Sequence, residues 1–194
     1  MSGKVRTVTC DSVLTAAVRI TEQQGLSNLN IQQLASELGI KPASLYNHTK
    51  GINELKADVV RYALGELDKV MRNAAIGYAR EEALLRIACA TRDFGIEHLG
   101  LYNAINLFSV VSPSEYKDTL GLHSNVLHQI LDTYQLDDKI KTSFILAFRS
   151  SLHGFVSLEA IGAFGDSLDR DESFQKLIEH TIKMLPGADD GTAR

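Results

Sequence analysis

The sequence predicts an all-α protein, and three observations support this fold class. Only 3 of the 194 residues are proline, tryptophan is absent, and no alternating run of β-branched residues exceeds a few positions. Apolar residues recur instead at helical spacing, and residues that cap helices precede these runs. With 44% apolar and 23% charged residues, the composition is that of an ordinary globular protein that can bury a sizeable core.

The N-terminal third is predicted to form four helices. Their approximate limits, set by capping and helix-ending residues, are residues 9–25, 30–39, 42–48 and 53–75. Thr9 is a suitable N-cap for the first helix and Asn30 for the second, where Gln33 would complete a capping box. Gly39 can adopt the positive φ that ends a helix. Pro42 opens the third helix, where its missing N–H costs nothing.

Five further helices are predicted in the remainder, which gives about nine in all. Their approximate limits are residues 81–98, 101–109, 112–134, 137–164 and 169–185. We expect a break near Gly100, and we expect Ser112, Pro113 and Glu115 to start a helix as N-cap, N1 and N3. An aspartate caps each of the last two helices, at position 137 or 138 and at 169 or 171. The polar residues from Pro186 onward are predicted to fray.

The cysteines and the chain start favour a cytoplasmic protein. Cys10 and Cys89 are too few and too isolated for a disulfide framework or a zinc site, which favours a reducing compartment. The first residues contain no apolar segment of the kind a signal peptide needs, and nowhere do 18 apolar residues run together. We therefore expect no membrane partner.

Enzyme chemistry finds no support in the residue spacing. Ser150, Ser151 and His153 lie close together on one predicted helix and point to different faces, so they form no catalytic triad. His123 and His128 are separated by about 140° around a helix, which is wrong for a shared metal ion. The sequence contains no phosphate loop and no dinucleotide fingerprint. We predict no catalytic residues, no metal and no cofactor.

The charges are distributed unevenly along the chain. Residues 1–50 contain five basic and three acidic residues, whereas the other 144 contain 15 basic and 21 acidic residues. This asymmetry favours a small N-terminal part that tolerates a polyanion, followed by an acidic remainder. Random scatter explains the count equally well.

Residues 30–48 have the features of a helix-turn-helix, because two short helices are joined by a turn of three residues. The residues predicted to form its shared core are Leu34, Leu38, Ile40 and Leu45. The side chains that then point outward or lie at the flank are Ser44, Tyr46, Asn47 and His48. Such side chains suit phosphates and base edges in a major groove, and Lys41 and Lys50 add cations beside the DNA backbone. The alternative, a plain packing unit, remains open.

Residues 25–55, GLSNLNIQQLASELGIKPASLYNHTKGINEL, closely resemble the N-terminal domain of the tetracycline-repressor (TetR) family of bacterial transcriptional regulators. The matching features are the LYNH segment, the spacing of Ala35 and Gly39, and a first helix that contains Val13 and Leu14. The later segment FRSSLHGFVSLEAIGAFG resembles a subset of the family with a Trp-His-Gly signature. Leucine replaces the tryptophan in this chain, which has Leu152-His153-Gly154.

The resemblance implies that the DNA-binding residues are Gln32, Lys41, Ala43, Ser44, Tyr46, Asn47, His48 and Lys50. The family's hydroxyl that contacts bases or phosphates falls on Ser44, and its phosphate-binding histidine falls on His48. The chain departs from the family at Thr49, where an aromatic residue is usual, and at Ile52, where a lysine is usual. Lys50 is the candidate to replace that lysine. These departures bear on the affinity for DNA.

The expected organisation is a three-helix helix-turn-helix DNA-binding domain at residues 1–51 and a helical effector-binding and dimerisation domain at residues 52–194. A small, mainly apolar effector of unknown identity is expected to contact Phe94, His98, Tyr102, Asn106, Phe148, Ser151 and His153. The apolar stripe expected at the dimer interface consists of Phe155, Leu158, Phe174, Ile178 and Ile182. Each of these residues is also compatible with an ordinary internal core.

Together these features predict a DNA-binding transcriptional regulator, specifically a ligand-responsive repressor that binds a palindromic operator as a homodimer. Dimerisation is expected because one helix-turn-helix makes too few contacts for useful specificity. Repression is implied by the resemblance alone. The alternative is a helical dimeric scaffold protein that retains the helix-turn-helix without binding an operator. A steep fall of DNA affinity with salt would distinguish the regulator from the scaffold.

Overall fold

The computed structural model describes residues 8–111, 125–165 and 167–188. The described residues form nine α-helices and one short 3₁₀ turn at Leu26–Asn28, and none of them lies in a strand. The helices are α1 (Cys10–Gln24), α2 (Ile31–Leu38), α3 (Pro42–Leu45), α4 (Ile52–Ala75), α5 (Arg80–Glu97), α6 (Leu99–Val111), α7 (Asn125–Asp132), α8 (Asp138–Ala160) and α9 (Arg170–Ile182). The predicted all-α fold is confirmed.

The described residues fall into two compact units. The first contains residues 8–64 and 98–111, and the second contains residues 65–97, 125–165 and 167–188. Helix α4 begins in the first unit and continues into the second. The domain boundary after residue 51, which the sequence suggests, stays a prediction.

In the first unit, α1 packs against α6 and α2, and α2 packs against α3. Thr9 and Ser12 form a capping box at the start of α1, and the Asn30 side chain accepts a hydrogen bond of 2.9 Å from the Gln33 N–H. The prediction that Gln33 completes a second capping box is wrong. Its amide instead donates to the side-chain oxygen of Gln24 at 2.7 Å, and this bond ties α2 to α1.

The expected break near Gly100 is present, two residues before that glycine. The chain turns at His98, and Gly100 lies inside α6. A β-carbon at Gly100 would lie only 2.5 Å from the backbone of Glu22 in α1, so the glycine is required by close helix packing. The Glu22 carboxylate also accepts a hydrogen bond of 3.1 Å from the Leu101 N–H, in the first turn of α6.

In the second unit, α8 packs against α5, α7 and α9, and α5 also contacts α7 and α9. The largest fully buried side chains of this core are Leu67, Leu84, Ile87, Leu131, Phe148, Phe174 and Ile178. The Arg92 guanidinium donates to both carboxylate oxygens of Glu159, at 2.6 and 2.7 Å, and to Asp171 at 2.8 Å. It also lies 5.4 Å from the ring centroid of Phe155 and 4.9 Å from that of Phe174. Arg92 thereby links α5 to α8 and α9.

The ends of the later helices agree partly with the prediction. Asp137 caps α8 and Asp169 caps α9, which decides between the aspartates considered at each position. Helix α8 ends at Ala160, earlier than predicted, because Gly162 has a φ of 67° and the following N–H groups turn back onto α8 carbonyls. The predicted helix start at Ser112, Pro113 and Glu115 lies outside the described residues.

None of the helices in the described ranges combines the length and the apolar character that a membrane span requires.

Candidate nucleic-acid interface

The turn between α2 and α3 is fixed by its backbone. Gly39 has the left-handed conformation, with a φ of 68°, and the Ile40 N–H donates to the Ala35 carbonyl at 3.0 Å. The Ala35 side chain is buried, and α2 packs against both α1 and α3. These contacts set the direction in which α3 leaves the turn.

Helix α3 is a single turn that begins with Pro42 and ends at Leu45, shorter than the predicted limit at about His48. The chain nevertheless continues along a helical path. The Asn47 N–H donates to the Ser44 carbonyl at 3.3 Å, and the His48 N–H donates to the Leu45 carbonyl at 2.8 Å. Because Leu45 is fully buried, it anchors this segment to the core of the first unit.

We use the term DNA-facing set for the eight predicted DNA-binding residues, Gln32, Lys41, Ala43, Ser44, Tyr46, Asn47, His48 and Lys50. Six of them are exposed, and the other two, Ser44 and His48, are half-buried. Tyr46, expected at the flank, is 61% exposed, which is high for an aromatic side chain. The helix-turn-helix therefore presents polar and aromatic groups to solvent on a backbone that its core holds in place.

The segment after α3 explains one departure from the family pattern. The Thr49 hydroxyl donates to the Gly51 carbonyl at 3.0 Å and accepts from the Gly51 N–H at 3.3 Å. Gly51 has a φ of 140°, a conformation that side chains rarely tolerate, and it directly precedes α4. Thr49 thus fixes the turn that carries Lys50, and the half-buried Ile52 follows it.

Glu54 is a further exposed residue at this surface, and it was not predicted from the sequence. Its carboxylate lies 3.5 Å from the Lys50 ammonium, in the first turn of α4. The spacing of four residues between a cation and an acid, at a helix start, was the signal that would have revealed it. Lys41, in contrast, makes no ion pair within the described ranges.

Four of the five residues predicted at the dimer interface are buried inside the second unit. These residues are Phe155, Phe174, Ile178 and Ile182. Phe155 packs edge-on against Phe174, with the ring centroids 5.0 Å apart, so both rings belong to the internal core. Leu158 is the member that α8 exposes, at 46%. The positions of these four residues agree with the alternative given above, an ordinary internal core.

The residues predicted to contact an effector are divided between the units. Phe94, Phe148, Ser151 and His153 belong to the second unit, and His98, Tyr102 and Asn106 to the first. Phe94, Tyr102 and Phe148 are buried. The Ser151 hydroxyl accepts from Thr181 at 3.3 Å.

Burial lowers the pKa of His153 below its ordinary value of 6.5, and Arg149 lowers it further. The imidazole Nδ1 atom lies 3.4 Å from the Ser157 hydroxyl.

A cleft of about 420 Å³ in the second unit is lined by none of the predicted effector residues. Its lining residues are Asp137, Lys139, Ile140, Ser143, Phe144 and Met184.

Two family models match the chain. Residues 13–57 match the bacterial regulatory proteins of the tetR family, and residues 84–181 match the tetracyclin repressor-like C-terminal domain. The chain is 31% identical, over 170 residues, to an uncharacterized HTH-type transcriptional regulator, Rv0681, of Mycobacterium tuberculosis. That alignment covers 87% of this chain and 77% of the relative.

Solved structures share the fold. A protein of unknown function from Rhodococcus sp. RHA1 has a TM-score of 0.76 at 18% identity, covering 95% of this chain and 96% of that chain. A TetR variant from Acinetobacter baumannii AYE, in complex with minocycline, has a TM-score of 0.67 at 15% identity, covering 92% and 96%. With both family models matched and the helix-turn-helix in place, the chain belongs to the tetR family of bacterial regulatory proteins and is a DNA-binding transcriptional regulator rather than an enzyme.

Proposed function

We propose that this regulator is a ligand-responsive repressor that acts in the cytoplasm and binds a palindromic operator as a homodimer. The observation that carries the proposal is the DNA-facing set, with six of its eight members exposed, on a helix-turn-helix whose turn is fixed by Gly39 and Ala35. A reading surface needs this combination, because contacts to base edges require side chains that are both accessible and held in register.

The members of the DNA-facing set have different roles in this proposal. Ser44 and Asn47 contact base edges, because a hydroxyl and an amide can both donate and accept hydrogen bonds in the major groove. Tyr46 and His48 bind phosphates, and Lys41 and Lys50 neutralise phosphate charge. We call residues 8–64, which carry the helix-turn-helix, the head. The two heads of a dimer would contact half-sites separated by about 34–36 Å or a multiple of that distance.

A face of α8 supports the dimer. The exposed residues along it are Leu146, Ser150, Gly154, Leu158 and Ile161, the last just beyond the helix end. Leu146 and Ile161 are 69% and 77% exposed, and the small residues between the apolar ends would let two helices approach closely. We propose that this face packs against the same face of a second protomer across a two-fold axis. Of the residues predicted at the dimer interface, Leu158 belongs to this face.

A small, mainly apolar effector is the proposed ligand. The support is the mixture of buried aromatic and half-buried polar residues among the second-unit members of the predicted effector set, together with the minocycline complex of the Acinetobacter baumannii relative in fold. Typical coupling free energies of 1–3 kcal/mol between two sites change an affinity about 5–150-fold. Effector binding would alter operator affinity by a factor in this range.

Selection from random duplex DNA tests the proposal. The purified protein is incubated with a random-sequence library at a low and a higher salt concentration, and the bound duplexes are sequenced. We expect a palindrome to be enriched and its affinity to fall steeply with salt. If no duplex is enriched at low salt, the operator-binding proposal is wrong and the scaffold alternative takes its place.

A further inference from the structure

Glu54 lies beside a lysine that the proposed DNA complex needs. The Lys50 ammonium is 3.5 Å from the Glu54 carboxylate, and the two side chains are 85% and 44% exposed. Lys50 is held just before α4 by the hydrogen bonds between Thr49 and Gly51. Lys50, the candidate to replace the usual family lysine, therefore lies beside an acid in the free protein.

Other cations of the head are also paired with acidic residues. Residues 8–64 contain five basic and five acidic residues, so the described part of the head carries no net charge. Arg19 pairs with Glu37, and Arg61 pairs with Asp58 at 2.5 Å. Three of the five cations in this range thus have an acidic partner in the free state, although phosphate binding depends on free positive charge.

From this geometry we propose that Glu54 limits the affinity of the head for DNA by competing with phosphate for Lys50. The inference rests on the proposed phosphate contact of Lys50. When the head docks, the ammonium must leave the carboxylate for a phosphate oxygen, and an uncompensated acid then remains near the polyanion. The exchange replaces one charge pair by another and adds a repulsion, so the gain from Lys50 is small.

The position of Glu54 strengthens this effect. Acids in the first turn of a helix are favoured by the partial positive charge of the helix N-terminus, so the carboxylate has a reason to stay where it is. The same partial charge would otherwise act on a nearby phosphate. Because phosphate contacts are largely independent of sequence, weakening them lowers binding to arbitrary DNA more than it lowers discrimination by Ser44 and Asn47.

The variant Glu54→Gln tests this inference, and Glu66→Gln is its matched control. Glu66 is also on α4, also partly exposed, and paired with Lys69 at 2.7 Å, but it lies three helical turns further along. Binding is measured by fluorescence anisotropy with a mixed-sequence duplex and with the duplex enriched in selection, each over a range of salt concentrations. Thermal unfolding of each variant checks that the fold is retained.

We expect Glu54→Gln to bind both duplexes about 3- to 10-fold more tightly per head, since one freed cation becomes available to phosphate. The slope of log affinity against log salt should steepen by about 0.9 per head. Glu66→Gln should stay within about twofold of the unchanged protein. In a Lys50→Gln background the gain from Glu54→Gln should shrink, because the two residues act as a pair.

Two results would overturn the inference while leaving operator binding intact. One is equal affinity of Glu54→Gln and the unchanged protein for both duplexes. The other is an undiminished gain in the Lys50→Gln background, which would assign the effect to general charge. If neither protein binds any duplex at low salt, the inference and the proposed function both fail. Binding that appears only in Glu54→Gln would support the inference.

Discussion

Gly100 in α6 packs directly against the backbone of Glu22 in α1. A β-carbon at Gly100 would lie 2.5 Å from the Glu22 Cα atom and 2.5 Å from the Thr21 carbonyl oxygen. The Glu22 side chain then bonds to the Leu101 N–H, so the same residue provides both the close packing and a cap for α6. Helices α1 and α6 of the first unit are therefore in close backbone contact at Gly100.

Gly100→Ala should therefore destabilise the protein. The added methyl group meets backbone, which cannot rotate away, and overpacking of this kind costs about 1–3 kcal/mol of unfolding free energy. Gly65→Ala is the control, because a β-carbon at Gly65 in α4 meets nothing within 4 Å. That variant should be stabilised by about 0.4–1 kcal/mol. Urea unfolding measures both, and equal stability of the two variants would contradict the packing argument.

Arg92 should be the ion-pair residue whose loss costs the most stability. Its side chain is 14% exposed and that of Glu159 is 10% exposed, and the hydrogen bonds to Glu159 raise the pKa of Arg92. Arg92→Met leaves Glu159 buried without its partner, at a cost of about 3 kcal/mol. Adding Glu159→Gln should recover part of that loss. Arg86→Met, which breaks an exposed pair with Glu82, should leave the unfolding curve nearly unchanged.

Leu158→Glu should convert the proposed dimer to a monomer without unfolding it. The side chain is 46% exposed on α8, so a carboxylate there is solvated in the monomer but buried in the interface. Leu168, 43% exposed and outside α8, provides the control variant Leu168→Glu, which should remain dimeric. Light scattering after size-exclusion chromatography gives the mass. A Leu158→Glu protein that stays dimeric would place the interface elsewhere.

His153 should make stability depend on pH. Because its pKa is lowered in the folded protein, chiefly by burial, the unfolded chain binds a proton more readily. This contribution to stability is complete above the ordinary pKa of 6.5 and is lost as the pH falls from there towards the lowered value. The melting temperature of His153→Gln should therefore fall less between about pH 7.5 and about pH 5.5. An equal fall in both proteins would show that His153 has no such role.

Local signals in the sequence were enough to predict most helix limits. Thr9, Asn30, Asp137 and Asp169 cap helices as expected, because a capping side chain acts on backbone groups only a few residues away. Gly39 ends α2 with the positive φ that its residue type suggests. Where the residue that caps or ends a helix lies within a few positions of that helix end, its residue type is sufficient to predict the helix limit.

Features that depend on distant partners could not be predicted in the same way. A break was expected near Gly100 and lies at His98, but no local pattern reveals that Gly100 packs α6 against α1. Phe174 and Ile178 were predicted at the dimer interface, and both are buried within the second unit. An apolar stripe predicts that one face of a helix is buried, but it does not identify the surface that packs against this face.

The exposure of the DNA-facing set was easier to predict than the surroundings of the other candidate sites, because its members lie within one short segment. Burial of Leu45 turns the two residues that follow it outward, and Tyr46 and Asn47 are exposed accordingly. The effector residues span several helices and both units, so their arrangement depends on packing that the sequence does not encode locally.

Comparison of Tyr46→Ala with Tyr62→Ala tests most directly whether the helix-turn-helix face contacts DNA. Both tyrosines belong to the first unit and are exposed, at 61% and 40%, but only Tyr46 belongs to the DNA-facing set. On the duplex enriched in selection, we predict that Tyr46→Ala weakens binding at least about tenfold, through loss of a phosphate contact in each head of the dimer. Tyr62→Ala should bind as the unchanged protein does. Equal binding by both variants would contradict the assignment of this face to DNA.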